Sequence, residues 1–419
     1  MVESRGPVLQ QAEAALEDVA AFIERGTPAF LRTNLALFAA GFATFALIYC
    51  VQPLMPVFST VFGVGAAESS LSLSLTTGLL AVSMLGASAV SEAWGRKRLM
   101  VASVLASSVL TLVASLVPHW SELLLARALT GVAVSGLPAI AMAYVAEEMH
   151  PKSVGLAMGL YIGGSGLGGM AGRLLTGVIT DFYGWRPAMF AIGAVAFVSG
   201  LVFWRSLPPS RHFQPRPLAL LPLLRAFTLH LRDRALPLLF AEGFLVMGAF
   251  VSVYNYIGYR LLQPPFGLSQ AAVGMIFSVY LVGIFSSAWM GDLAGRLGRR
   301  RVLWSGFAIM LAGVGLTLSS HLAVIVAGIA LVTFGFFGGH SIASSWVGAR
   351  TRQAKAQAAS LYLFAYYMGS SLAGSAGGVF WTRYGWPGVV GMDIGLLLLG
   401  LGIALWLTGV PPRPEGEKG

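Results

Sequence analysis

The chain has 419 residues, of which 56% are apolar and only 11% charged, with a net charge of +10. A water-soluble domain carries roughly 25% charged residues, so this composition excludes a soluble globular protein. The basic excess could suit nucleic acid, but the charges sit in short clusters between long apolar runs, the pattern of a membrane protein rather than of a nucleic-acid surface.

The single cysteine, Cys50, lies in the first apolar run and cannot form an internal disulfide. The first 33 residues hold more acidic than basic side chains, and the run that follows is too long for the apolar region of a cleavable signal. Residues 8–25 have amphipathic spacing, with Leu16, Val19, Phe22 and Ile23 on one face. They are expected to form a cytoplasmic surface helix or a loose tail.

Twelve apolar runs of spanning length follow, at 34–58, 69–90, 99–117, 121–145, 155–180, 187–205, 236–258, 269–290, 302–319, 322–347, 358–381 and 388–409. The longest loop, 206–235, separates spans six and seven. With the N-terminus in the cytoplasm, 22 of the 27 Lys and Arg residues fall on the cytoplasmic side and 3 on the other, Arg186, Arg260 and Arg383. The positive-inside rule therefore puts both termini in the cytoplasm.

The two halves repeat at an offset of about 200 residues. Leu37 to Phe42 recurs as Leu239 to Phe244, Gly95-Arg96-Lys97-Arg98 as Gly298-Arg299-Arg300-Arg301, Leu160-Tyr161 as Leu361-Tyr362, and Tyr183-Gly184-Trp185 as Tyr384-Gly385-Trp386. Ile140-Ala141 with Tyr144-Val145 recurs as Ile342-Ala343 with Trp346-Val347. Six spans per half give both repeats the same orientation, hence a pseudo-two-fold axis along the membrane normal and a central path between the halves. The expected fold is an all-α membrane protein of 12 transmembrane helices in two six-helix bundles. Its parts are a tail (1–33), a bundle (34–205), a cytoplasmic linker (206–235), a second bundle (236–409) and a second cytoplasmic tail (410–419).

Ser88 to Lys97, between spans two and three, resembles the cytoplasmic motif G-x-x-x-D-R-x-G-R-K of the major facilitator superfamily, with Glu92 at the Asp position. Gly291 to Arg300 resembles the second copy, its acid displaced to Asp292. Glu92, Gly95, Arg96, Lys97, Asp292, Gly298 and Arg299 are thus candidates for a conformational latch. The physical rationale is glycine for the tight turn and a carboxylate pairing with a helix N-terminus or an arginine. In span four, Arg127-Ala128-Leu129-Thr130-Gly131 resembles the family's R-x-x-x-G motif, whose Arg is associated with proton coupling in antiporters. In span five, Gly164 to Arg173 resembles the antiporter signature G-x-x-x-G-P-x-x-G-G, with Gly169 at the Pro position and Arg173 where Gly is usual. The resemblance covers essentially the whole chain and is greatest to bacterial inner-membrane transport proteins near the drug-efflux and sugar-efflux facilitators. Gly164, Gly168 and Gly172, like Ala365, Gly369, Ala373 and Gly377, make smooth helix faces that suit either close packing or sliding.

Ionisable groups inside a bilayer are costly and default to a functional hypothesis. Arg127, Arg173, Glu242 and His340 are the proton-coupling candidates, with Asp393 a weaker case near the periplasmic end of span twelve. The repeat supplies a control, since the matched positions are Ile329, Gly374, Ala40, Pro138 and Ile192. The scaffold can be built without charge at each of these places. Candidate cavity residues are Tyr49, Gln52, Tyr161, Asn255, Tyr280 and Tyr366.

These features lead to a secondary active transporter, a monomer in the bacterial inner membrane, whose partners are a small organic solute, protons and the lipid bilayer. Proton-coupled efflux is the first reading, with uptake or facilitated diffusion the alternative. No nucleic-acid partner, metal or cofactor is expected. The chain lacks H-E-x-x-H, G-x-S-x-G and a P-loop, so an intramembrane enzyme or an ATP-driven pump is not expected. A sensor would need an output domain, which the longest loop is too short to hold.

Overall fold

The computed structural model describes residues 22–213 and 220–410. Most of the amphipathic segment 8–25 lies outside the described residues. What is described is helical, with one isolated bridge between Ile23 and Met149.

Among the described residues, ten helices are long and apolar enough to cross a membrane. Two features turn the ten into twelve spans. Lys355–Thr408 is two spans, because Gly385 leaves the helical region at φ 62°, ψ −152°, with Pro387 just beyond. Arg299–Leu316, span nine, is outside the ten; it opens on three arginines that belong to its loop.

Several spans are interrupted. Span one runs as Pro28–Tyr49, a 3₁₀ turn at Gln52–Leu54 and Met55–Phe62. Pro53 and Pro56 lack the amide that would continue the ladder. Span four breaks between Trp120–Val134 and Pro138–Glu148, where proline opens the second piece. Span eight breaks at a 3₁₀ turn, Phe277–Val279, between Gln270–Ile276 and Tyr280–Leu297.

The repeat seen in the sequence is a repeat of backbone conformation. Gly95 (φ 93°, ψ 142°) and Gly298 (φ 90°, ψ 135°) make the same turn after spans two and eight. Gly184 and Gly385 join spans five to six and eleven to twelve, again at positive φ. An L side chain is strained there, which is why glycine marks these corners.

Within each half, span five or eleven (Pro151–Tyr183; the first part of Lys355–Thr408) lies along span one or seven (Leu236–Leu261). A Cβ at Gly164 would come within 2.6 Å of the Phe38 carbonyl, and one at Gly172 within 2.7 Å of Ala46 Cα. A Cβ at Gly168 would collide with the Phe42 backbone and one at Gly369 with that of Phe244. The smooth faces are therefore spent on close packing inside each half, where association depends on such contact. Large apolar side chains such as Leu116, Phe182 and Phe285 point outward, as lipid-facing residues do.

At the basic end, the described ion pairs act inside each half rather than between the halves. Arg96 binds Glu147 of span four at 2.8 Å and also donates to Ser91. Asp233 accepts from Arg350 of span ten (Leu322–Arg350) at 2.6 Å and caps span seven through the amides of Ala235 and Leu236. Burial pushes the Asp233 carboxyl up, but the Arg350 and amide hydrogen bonds outweigh it and hold it below its ordinary 3.8. A depressed folded pKa contributes stability above the unfolded value and loses it as pH falls through the folded one. Asp233→Asn should therefore melt at a lower temperature near neutral pH, and the gap to wild type should close below pH 3.8. Thermal unfolding in detergent across pH 2 to 7 reads this; a gap that persists undiminished in acid refutes it.

Candidate functional site: a central arginine, an end closure and a buried acid

Span one reaches its break at Cys50–Gln52, which brings Tyr49 and Gln52 alongside Arg173 of span five. The Arg173 side chain is 1% exposed. Its Nε donates to Gln52 Oε1 at 2.5 Å and its Nη1 to the Gly169 carbonyl at 2.7 Å. Its Cζ lies 4.1 Å from the Tyr49 ring centre, 4.7 Å from Tyr280 and 5.4 Å from Phe277. The 3₁₀ turn in span eight delivers the last two rings from the opposite half. No carboxylate pairs with Arg173 among the described residues. Gln52 Nε2 donates onward to Asn255 Oδ1 of span seven at 2.7 Å, so a polar chain crosses from one half to the other.

That crossing belongs to a closure at the end opposite the basic loops. Tyr259 donates to the Met55 carbonyl at 2.8 Å and its hydroxyl meets Ser59 at 2.7 Å. Ser371 donates to the Ser74 carbonyl at 2.8 Å, and the Gln270 amide to Asp181 at 3.2 Å. Two small-residue contacts flank these bonds. Gly177 of span five lies on Gly274 of span eight, and Gly378 of span eleven on Ala67 of span two.

Glu242 and His340 come together at Tyr362, the repeat partner of Tyr161. His340 Nδ1 and the Tyr362 hydroxyl are 2.9 Å apart. The Tyr362 ring packs on the Gly243 backbone and lies close enough to Glu242 to interact electrostatically. Glu242 is 0% exposed, and neither carboxyl oxygen has a hydrogen-bond partner among the described residues. The Tyr366 ring lies tilted 4.6 Å from the His340 ring and meets Tyr367 edge-on at 5.1 Å.

Arg127 is placed differently. It is 0% exposed, and its three nitrogens donate to the carbonyls of Ser72 (2.9 Å), Leu47 (2.9 Å) and Ile48 (2.6 Å). Leu47 and Ile48 close the first helix of span one, whose ladder stops at the break, so Arg127 takes carbonyls that no amide reaches. In a bilayer no water replaces it. Arg127→Leu should leave these acceptors short at roughly 1–3 kcal/mol each and sharply lower the melting temperature. An unchanged melting curve would refute the clamp.

Of the six cavity candidates, Tyr49, Gln52 and Tyr280 surround Arg173, Asn255 follows through Gln52, and Tyr366 lies by His340. Tyr161 stands apart, packed on Gly41 with its hydroxyl sealed and unpartnered. Of the latch candidates, Arg96 is held by Glu147, and Lys97 donates to the Leu207 carbonyl. Asp292 pairs with Arg296 on its own helix at 2.8 Å, and Arg299 donates to Ser345 at 3.0 Å. Glu92 makes no hydrogen bond or ion pair among the described residues. Asp393 is fully buried beside Ser252 and Tyr256 of span seven.

Sequence reasoning did not single out Tyr362, Phe277, Tyr367, Tyr259 or Glu147. The repeat could have flagged Tyr362 through Tyr161, and a basic loop followed by an acidic helix end could have suggested Arg96 with Glu147.

Two pseudo-symmetric six-helix halves around a polar path define a membrane transport protein. The Major Facilitator Superfamily pattern matches residues 37–263 and 244–419. The chain belongs to that superfamily, and it is a transporter rather than an enzyme. It is 52% identical over 378 residues to "Inner membrane transport protein YnfM" of Escherichia coli (strain K12), covering 90% of each chain. It is 50% identical over 404 residues to "Uncharacterized MFS-type transporter YybF" of Bacillus subtilis (strain 168), covering 95% of this chain and 99% of that one. A crystal structure of a bacterial homologue of the human lysosomal transporter Spinster, inward-facing and unoccupied, shares the fold. Its TM-score is 0.75 at 15% identity, over 91% of this chain and 98% of that one.

Proposed function

We propose that the protein exports a small organic solute across the bacterial inner membrane in exchange for protons, by alternating access. The carrying observation is Glu242, a fully buried acid without a hydrogen-bond partner among the described residues, set against a Tyr362–His340 pair in a bundle fastened at one end. A carboxyl group so placed can take and release a proton as the halves rock, and the tyrosine and histidine give that proton a route. Arg127 and Arg173 would act by holding span one and by setting the local charge.

The halves 34–205 and 236–409 move as units, joined by the 206–235 linker. The basic excess on the loops supports a cytoplasmic linker and cytoplasmic termini. On that orientation the closure from Asp181 to Ser371 lies on the periplasmic side. The antiporter-like glycines of span five support export over uptake, and the name of the Escherichia coli relative supports the inner membrane. The protein works as a monomer, since each chain contains both halves of the path.

The test uses reconstituted vesicles with a pH-sensitive dye inside and a panel of small organic solutes. A transported solute should collapse an imposed pH gradient and accumulate against its own. Solute movement indifferent to the pH gradient would mark facilitated diffusion and overturn the coupling.

A further inference from the structure

Arg173 is an unusual cation to keep in a bilayer. It is 1% exposed, and its described partners are a neutral amide, a backbone carbonyl and three aromatic faces. Amides and π-faces orient a guanidinium but bring no negative charge. The described hydrogen bonds use two of its five N–H donors. The position matched to it in the other half is Gly374, whose carbonyl accepts from Tyr256 at 2.6 Å, so the cation has no symmetric need in the fold.

The surroundings suit one class of guest. Tyr49 and Tyr280 flank Arg173, and their hydroxyls make no hydrogen bond among the described residues. Tyr366 and Tyr367 continue the wall, also with unbonded hydroxyls. Among the described residues, the buried acids of the spans lie elsewhere, Glu242 by Tyr362, Asp393 by Ser252 and Glu148 against His212. The charge at the centre of the path is therefore positive, its further donors are tyrosine hydroxyls, and its walls are flat rings.

We propose that Arg173 is the recognition point for an organic anion with a flat apolar body, and that this anion displaces Gln52 from the guanidinium. The inference rests on the transport reading and specifies its substrate class. Arg173 Nε then serves two exclusive partners. Bound to Gln52, it completes the chain Arg173–Gln52–Asn255 that ties the halves at the far end. Bound to a carboxylate or sulfonate, it makes the planar two-pronged contact that guanidinium favours. That releases Gln52 and loosens the tie. Substrate arrival and opening of the far end become one event, as exchange by alternating access requires.

The experiment uses the full chain in nanodiscs and three probes of one shape: benzenesulfonate, neutral benzenesulfonamide and cationic phenyltrimethylammonium. Calorimetry should give saturable binding of benzenesulfonate alone. Arg173→Gln should weaken it about 10- to 100-fold, the loss of a charge-assisted hydrogen bond, and Arg173→Lys by less. Gln52→Leu should tighten it, because the competitor for Nε is gone. A purely structural lock predicts the reverse, since Gln52→Leu would then disorder Arg173. The probe comparison and Gln52→Leu still decide the matter if Arg173→Gln fails to fold. Equal binding of the neutral or cationic probe, no benzenesulfonate binding, unchanged binding by Arg173→Gln or weakened binding by Gln52→Leu each overturns the inference. Vesicle flux with the same probes separates the two readings. Proton-coupled movement of the cation would leave the transporter standing without the anion. Benzenesulfonate bound at Arg173 but never moved by a pH gradient would do the opposite.

Discussion

Valine at Gly177 and Gly378 is expected to hold the far end of the bundle open and to abolish turnover. A Cβ at Gly177 would lie 2.9 Å from both the Gln270 carbonyl and Gly274 Cα, and one at Gly378 would collide with the Ala67 backbone. Both obstacles are backbone, which cannot rotate aside. Overpacking of this kind costs about 1–3 kcal/mol, and it does so only in the state where the far end is closed. Each substitution should thus shift the closed-to-open ratio by about 5- to 150-fold. With Cys50 replaced by alanine, spin labels at the exposed positions Thr60 and Gln263 should report a short distance in the parent and a longer one in the double variant. Gly155→Val is the control, because a Cβ there meets nothing within 4 Å. Label distances unchanged by the double substitution would remove these glycines from the gate.

The second large effect is expected at Glu242. Glutamine has nearly the same shape but cannot release a proton. A gradient of one pH unit is worth about 1.4 kcal/mol per proton, about tenfold in solute accumulation. In vesicles the parent should build up solute to about that extent per proton exchanged. Glu242→Gln should equilibrate solute without building a gradient, while exchange of labelled for unlabelled solute continues. His340→Asn should slow coupled transport without removing it, because in the proposed relay the histidine passes the proton on through Tyr362 and Glu242 stores it. Full gradient-driven accumulation by Glu242→Gln would move the proton site elsewhere.

Much of this architecture was legible in the residues themselves. Apolar run length, the 22-to-3 distribution of basic residues and the glycine corners at Gly95, Gly184, Gly298 and Gly385 are local or additive properties. A bilayer demands about 20 apolar residues per crossing, and a positive-φ corner demands glycine. The interruptions of spans one and four, which read in the sequence as continuous runs, have a local cause in proline, whereas the break in span eight at Phe277–Val279 has no proline or glycine to announce it.

What each buried charge touches was decided by tertiary structure. In the sequence Arg127 is a motif arginine and Arg173 stands where a motif has glycine. The fold gives one to three backbone carbonyls inside a single half and the other to aromatic rings from both halves. Glu242 and His340 are 98 positions apart, and only the approach of span eleven puts Tyr362 beside both. Helix periodicity says that a residue has a face; which neighbour fills it depends on crossing angles and on backbone contacts such as Gly168 against Phe42. Those contacts join residues more than a hundred positions apart, and no short stretch of sequence encodes them. The sequence by itself therefore determined how many times the chain crosses the membrane, while tertiary packing decided which charge is a clamp, which is a tie between halves and which is an acid without a partner among the described residues.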